Sequence, residues 1–132
     1  MKYIKYSIIL VMVFAVFGVI SAFASTYTYA NITIPSFHQM WTSAQKQKQT
    51  EYKVQYFTNN GATDSLGNQY TISGRTQSMY DPVRFSSWKN ASRYASASWG
   101  DENKRINQYR LQLKAQNYNV LSLSFFGSWT LD

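Results

Sequence analysis

The sequence predicts an all-β protein, a small antiparallel β-sandwich of about six to seven short strands over residues 25–132, following a signal peptide over residues 1–24. Three observations point to that class. Two segments late in the chain, Arg105 to Ala115 and Val120 to Trp129, alternate apolar and polar residues with period two, the mark of a half-buried strand. Turn-forming clusters recur at roughly eight- to twelve-residue intervals, as they do in sandwiches and barrels. Downstream of residue 24 the chain carries nine Tyr, five Phe and four Trp, residue types that pack well on pleated surfaces. Strands of uneven length and turns of varied composition favour the sandwich over the barrel.

The first strand is expected at Tyr27 to Ile34, ended by Pro35, which removes a backbone donor. From Ser36 to Gln49 the residues Phe37, Met40, Trp41 and Ala44 fall at helical spacing, so this stretch reads as a loop or one short helix. Thr50 to Thr58 reads as the second strand, with Tyr52, Val54 and Tyr56 on one face. Asn59-Asn60-Gly61 follows as a turn, because Asn and Gly tolerate positive φ. After a second turn at Asp64 to Asn68, Gln69 to Ser73 is a short third strand closed by Gly74, and Val83 to Trp88 a fourth. Asn90 to Gly100 alternates loosely and reads as a further strand. The two late segments, joined by Gln116-Asn117-Tyr118-Asn119, are expected to pair as a closing β-hairpin. Its inner face would hold Tyr109, Leu111, Leu113, Leu121, Leu123 and Phe125.

The N-terminal segment has the organisation of an export signal. Lys2 and Lys5 form a positive start, Ser7 to Ile20 is an uncharged and predominantly apolar run, and Ala22-Phe23-Ala24 is a small-x-small cleavage site. The apolar run is short for a membrane span of about 20 residues, so no stable transmembrane segment is expected after processing. Removing 24 of the 132 residues leaves 108, enough for one core. Cysteine is absent, so packing alone must hold the fold in a compartment where small proteins often use disulfides.

Catalytic chemistry has little to work with. His38 is the single histidine, and a histidine base needs a nucleophile and an orienting group beside it. No serine lies in a nucleophile elbow, and one histidine without cysteine is a poor basis for a zinc site. The six carboxylates are Glu51, Asp64, Asp81, Asp101, Glu102 and Asp132, and no spacing among them marks a glycosidase pair or a calcium loop. The expected protein is non-enzymatic and takes no cofactor and no metal.

Charge is more informative. Removing Lys2 and Lys5 from 13 basic residues leaves 11 against six acidic ones, a formal +5. Export argues against nucleic acid, so the expected partner is an anionic cell-surface polymer or membrane. The candidate surface-binding residues are Lys46, Lys48 and Lys53 in one group and Lys104, Arg105, Arg110 and Lys114 in another. On the last-but-one strand Arg110 and Lys114 share a face with Gln108 and Gln112 and can reach one flat surface together. A charge excess that serves only solubility is the competing reading.

Two segments carry a resemblance. Glu51-Tyr52-Lys53-Val54-Gln55-Tyr56 followed by Asn59-Asn60-Gly61, and Leu111 to Asn117 with the later Gly127-Ser128-Trp129, resemble a group of small secreted proteins of Gram-positive bacteria of unsettled function. The layout is similar to that of β-sandwich lactococcin-type bacteriocins. The match covers about a third of the mature chain, and its motifs are structural, so no catalytic residue is implied. It implies a secreted sandwich antagonistic to other cells. The alternative is a cell-wall or glycan-binding module that uses exposed Tyr and Trp.

The exported form is expected to begin at Ser25. Intact mass of the protein from culture medium checks this, and a mass that retains Met1 to Ala24 would mean a membrane anchor instead.

Overall fold

A computed structural model describes residues 25–80 and 82–132; the predicted signal peptide and Asp81 lie outside the described residues. Among the described residues, nine strands form two antiparallel sheets around one core: β1 (Thr26–Ile34), β2 (Trp41–Thr42), β3 (Lys46–Gln47), β4 (Tyr56–Thr63), β5 (Ile72–Ser78), β6 (Lys89–Ala91), β7 (Ala95–Ser98), β8 (Gln108–Ala115) and β9 (Leu123–Thr130). The protein is all-β, as the alternation predicts. The first sheet has the order β1-β9-β4-β7. The second has the order β2-β8-β5-β6, with β3 also paired to β8.

The expected closing hairpin does not form. β8 sits inside the second sheet, bonded to β5 on one side and to β2 and β3 on the other. β9 sits inside the first sheet, between β1 and β4. With both edges of each strand already taken, they meet through their side chains. Tyr109, Leu111, Leu113 and Ala115 from β8, and Leu123, Phe125 and Trp129 from β9, join one buried cluster between the sheets. The residues on the inner face were read correctly, apart from Leu121, which lies in the link and is partly exposed. Residues 116–122 therefore arch from one sheet to the other.

β9 is accommodated by two bulges. β1 carries one extra residue between Tyr29 and Ile32, and β4 one between Asn59 and Gly61. Both lie beside Gly127, where an added Cβ would run into the Thr58 carbonyl and the Phe125 ring. Asn31 takes positive φ (57°) at the first bulge. At the second, the Asn59 side chain is buried, donates to the Ala91 carbonyl and accepts from the Gly61 amide. Asn59-Asn60-Gly61 is thus a bulge within a strand rather than a turn. An extra residue restores pairing while switching which positions face the core.

The remaining differences from expectation have local causes. Residues 50–55 are not a strand, and Tyr52, Val54 and Tyr56 are exposed. Gln55 is buried in their place, donating to the Asn103 carbonyl and accepting from the Trp129 indole. Residues 36–49 contain no helix. Trp41 pairs through β2 with Leu113 and packs edge-on against Tyr29 at 5.2 Å, so covering the flank of β8 outweighs the helical spacing. Gly74 lies within β5 rather than ending a strand, because a Cβ there would come within 2.7 Å of the Phe57 ring. Val83 to Trp88 contributes a single bridge, Phe85 to Gln77.

Leu113→Ala is expected to destabilise the fold by about 2–5 kcal/mol, the usual cost of emptying a buried leucine site. Leu121→Ala should cost less than about 1 kcal/mol. Denaturant melts of the two variants check the pair; equal losses would contradict the arch.

Candidate anionic-surface site

The outer face of the second sheet gathers cations in a regular array. In β5 the residues Ser73, Arg75 and Gln77 alternate with inward Ile72, Gly74, Thr76 and Ser78. In β8 the residues Arg110, Gln112 and Lys114 alternate with the core positions. The register sets Ser73 opposite Lys114, Arg75 opposite Gln112, and Gln77 opposite Arg110. Side chains directly opposite on one face are near neighbours, so three cations sit within two adjacent strands.

Arg75 is the most constrained of the three. Its Nε donates to Gln112 Oε1 at 2.7 Å, and its guanidinium lies 4.2 Å from the Phe85 ring centre and 4.6 Å from that of Trp88. Lys114 Nζ lies 4.3 Å from the same Trp88 ring. Such contacts hold a cation in place while leaving its charge intact. Burial pushes Arg75 down from its ordinary value, but an arginine stays charged at any physiological pH. Among the described residues, no carboxylate comes within 4.0 Å of Arg75, Arg110 or Lys114; the two ion pairs are elsewhere.

The sequence-predicted cations therefore divide. Arg110 and Lys114 share the sheet face, as the alternation implied. Lys104 and Arg105 lie at one end of the sandwich, lining a groove of about 770 Å³ with Tyr52, Arg84 and Asn107. The Tyr52 amide donates to the Lys104 carbonyl, which carries neighbouring Lys53 to the same end. Lys104 is paired with Asp101 at 2.6 Å. Lys46 Nζ turns toward the first sheet and lies 4.5 Å from the Tyr27 ring centre.

Lys48, expected among the surface cations, is instead fully buried and cannot bind a surface. Its Nζ donates to the Leu131 carbonyl and lies 3.4 Å from Asp132 Oδ1. Burial pushes its pKa down, and the Asp132 charge only partly compensates. The Asp132 carboxylate accepts from the Gln49 and Thr50 amides at 3.0 and 2.8 Å and from the Thr50 hydroxyl at 2.7 Å. Burial pushes this carboxyl up, but bonds from Ser25, Thr50 and Gln49 together outweigh it and hold it at about 2.

Arg75, Phe85 and Trp88 were missed by sequence reasoning. The signal was present, since Ser73, Arg75 and Gln77 continue the polar alternation past Gly74, where the strand was expected to stop. The tryptophans leave little free stacking surface. Trp99 and Trp129 are core, Trp41 is tucked against Tyr29, and Trp88 carries Arg75 and Lys114. Tyr52, at 79 % exposure, is the most exposed aromatic among the described residues. Among those residues no three of His, Cys, Asp and Glu cluster closely enough to hold a metal ion. The chemistry this face offers is reversible attraction for anions. Comparison with protein-family models, with curated proteins and with solved structures found no match.

The Asp132 environment has a pH signature. A carboxyl held at about 2, against an ordinary 3.8, stabilises the fold fully above about pH 4 and loses that contribution as pH falls toward 2. Two pKa units correspond to about 2–3 kcal/mol. Asp132→Asn should therefore lose roughly that stability at pH 7 and converge with the wild type near pH 2. Denaturant melts across this range check it, and a constant difference at every pH would contradict the assignment.

Proposed function

We propose that the protein is an exported, non-enzymatic, bacteriocin-like β-sandwich that engages an anionic cell surface, polymer or membrane, through the outer face of its second sheet. The observation that carries this reading is the array of Arg75, Arg110 and Lys114, none within 4.0 Å of a carboxylate among the described residues and two of them seated on Trp88. The excess of basic over acidic residues points the same way. A cation near an anionic membrane contributes about 1 kcal/mol. Three give about 3 kcal/mol, weaker than millimolar binding, so charge orients the protein and other contacts or avidity must hold it.

A second reading, a cell-wall or glycan-binding module, rests on the end groove, where the exposed Tyr52 ring stands beside Asn107 and Arg105. Pull-down on purified cell wall at high salt, where sugar stacking survives and ion pairing fades, favours this reading if binding persists. A growth-inhibition assay against related strains tests the antagonistic activity directly.

The surface reading is tested by co-sedimentation with anionic and neutral vesicles and with purified wall. Binding to the anionic surfaces should exceed binding to neutral vesicles, and weaken as the Debye length shrinks from about 10 Å at 0.1 M salt to about 3 Å at 1 M. An Arg75→Gln, Arg110→Gln, Lys114→Gln variant should bind at least about tenfold more weakly at low salt. Equal binding to anionic and neutral surfaces, or no loss in the folded variant, would make the charge a solubility device.

A further inference from the structure

At the end of the sandwich opposite the groove, two links form one apolar tip. Residues 35–40 connect β1 to β2, and residues 116–122 arch from β8 to β9. Asn119 joins them. It is fully buried, and its Nδ2 donates to the Pro35 carbonyl at 3.0 Å and to the Leu121 carbonyl at 2.8 Å. Its Oδ1 accepts from the His38 amide at 2.9 Å, and its backbone carbonyl accepts from the Phe37 amide at 2.6 Å. One side chain thus satisfies backbone groups on both links.

The staple presents apolar side chains outward. Phe37, Tyr118 and Val120 are each more than half exposed, with Met40 and Leu121 beside them in the same links. The Phe37 and Tyr118 rings lie 6.3 Å apart. Phe37 and His38 both have φ 59°, a left-handed conformation that costs a bulky residue free energy and persists only where its surroundings impose it. A solvated loop could relieve that strain with Gly or Asn; here a phenylalanine is held outward instead.

Charge indicates what covers the tip. Neither link contains Asp, Glu, Lys or Arg, and the one histidine, His38, has its Nε2 buried. The cationic sheet face adjoins both: Lys114 precedes the arch by two residues, and Arg75 Nη2 lies 3.9 Å from Met40 Sδ. Asp64, in the neighbouring link, is turned inward and bonded to Asn68 and Tyr70. An apolar projection without Asp, Glu, Lys or Arg, flanked by cations, matches a bilayer with anionic headgroups, where apolar side chains enter the acyl boundary and cations meet the phosphates. A hydrated wall polymer offers no apolar interior for these side chains.

From this we infer that the Phe37–Tyr118–Val120 tip inserts shallowly into an anionic lipid bilayer, with Arg75 and Lys114 on its headgroups. This rests on the anionic-surface reading and names the membrane as the surface. The cysteine-free chain permits the test, because a single introduced cysteine labels one site. Val120→Cys and, at the opposite end of β8, Ile106→Cys are each labelled with a polarity-sensitive fluorophore and mixed with anionic vesicles, while co-sedimentation records binding. The expected result is a blue-shifted, brightened signal at position 120 and none at 106.

Phe37→Asn, which suits left-handed backbone, and Tyr118→Ser should each keep a cooperative melt and bind anionic vesicles about tenfold more weakly, with the remaining binding abolished by 1 M salt. Co-sedimentation without a shift at 120, or equal shifts at 120 and 106, would overturn the inserted tip and leave the surface reading standing. Binding to purified wall but not to vesicles would overturn it in favour of the polymer. No binding of the wild type to any anionic surface would overturn both readings.

Discussion

β8 and β9 are both interior strands, and most of the structure follows from that. Each has its backbone groups committed on two sides, so the two strands with the strongest apolar faces can meet only across the core. This meeting brings Leu111 and Leu113 into the same buried cluster as Leu123 and Phe125, with Trp129 further along. It also forces the intervening chain to cross between layers at the end of the sandwich. An isolated two-stranded hairpin would have left β8 and β9 with one open edge each. The arch gives both sheets a central strand and leaves the outer face of β8 free for polar residues.

With no disulfide to hold the ends, the fold closes them with polar contacts that only this arrangement satisfies. The Lys48–Asp132 pair is an example. Taking an ammonium out of water costs several kcal/mol, and a buried pair is a poor source of net stability compared with packed hydrocarbon. Its value lies in position. The ammonium meets the Leu131 carbonyl, while Asp132 collects amides from Gln49 and Thr50. Together they dock the chain leaving β3 onto the end of β9, and any other docking would strand a charge. Asn59, Gln55 and Asn119 do the same at other junctions, each a buried amide whose partners lie on separate elements.

The sequence was legible where alternation was unbroken. β8 and β9 alternate cleanly, so their inner faces were read correctly although their partners were not. Alternation reports which way a side chain points and says nothing about whether two facing strands share a sheet. β1 and β4 each carry an extra residue beside Gly127, which moves the core-facing set from Tyr27 and Tyr29 to Ile32 and Ile34, and from Phe57 to Ala62. In β4 that shift, together with an Asn-Gly pair, imitates a turn. Tyr52 and Val54 alternate as convincingly as any strand yet stand in a loop. What settles their place is Gln55, a polar residue buried because the Trp129 indole and the Asn103 carbonyl need it. The cation site was half legible for a related reason. Its β8 half follows from period two within one strand, whereas Arg75 joins it through a register that only the folded sheet establishes.

The cationic face lies on β5 and β8, and the apolar tip on the link leaving β8 and the 35–40 link beside it; this adjacency makes their contributions complementary. Three cations supply about 3 kcal/mol at low salt and act over roughly a Debye length, so on an anionic bilayer they would orient the molecule before contact. Burying one large apolar side chain contributes about 1.5–3 kcal/mol but acts only on touching. A few tip residues together would therefore outweigh the charges once seated, and salt would not weaken them. The order matters physically. A tip on a flexible loop would lose much of that gain to the entropy of ordering, about 1–2 kcal/mol for each residue fixed. Asn119 has already met this cost within the folded protein, by holding Phe37 and the 116–122 arch in one conformation. The strain at Phe37 and His38 is then a consequence of preorganisation, borne by the stability of the sandwich rather than by the encounter with a surface.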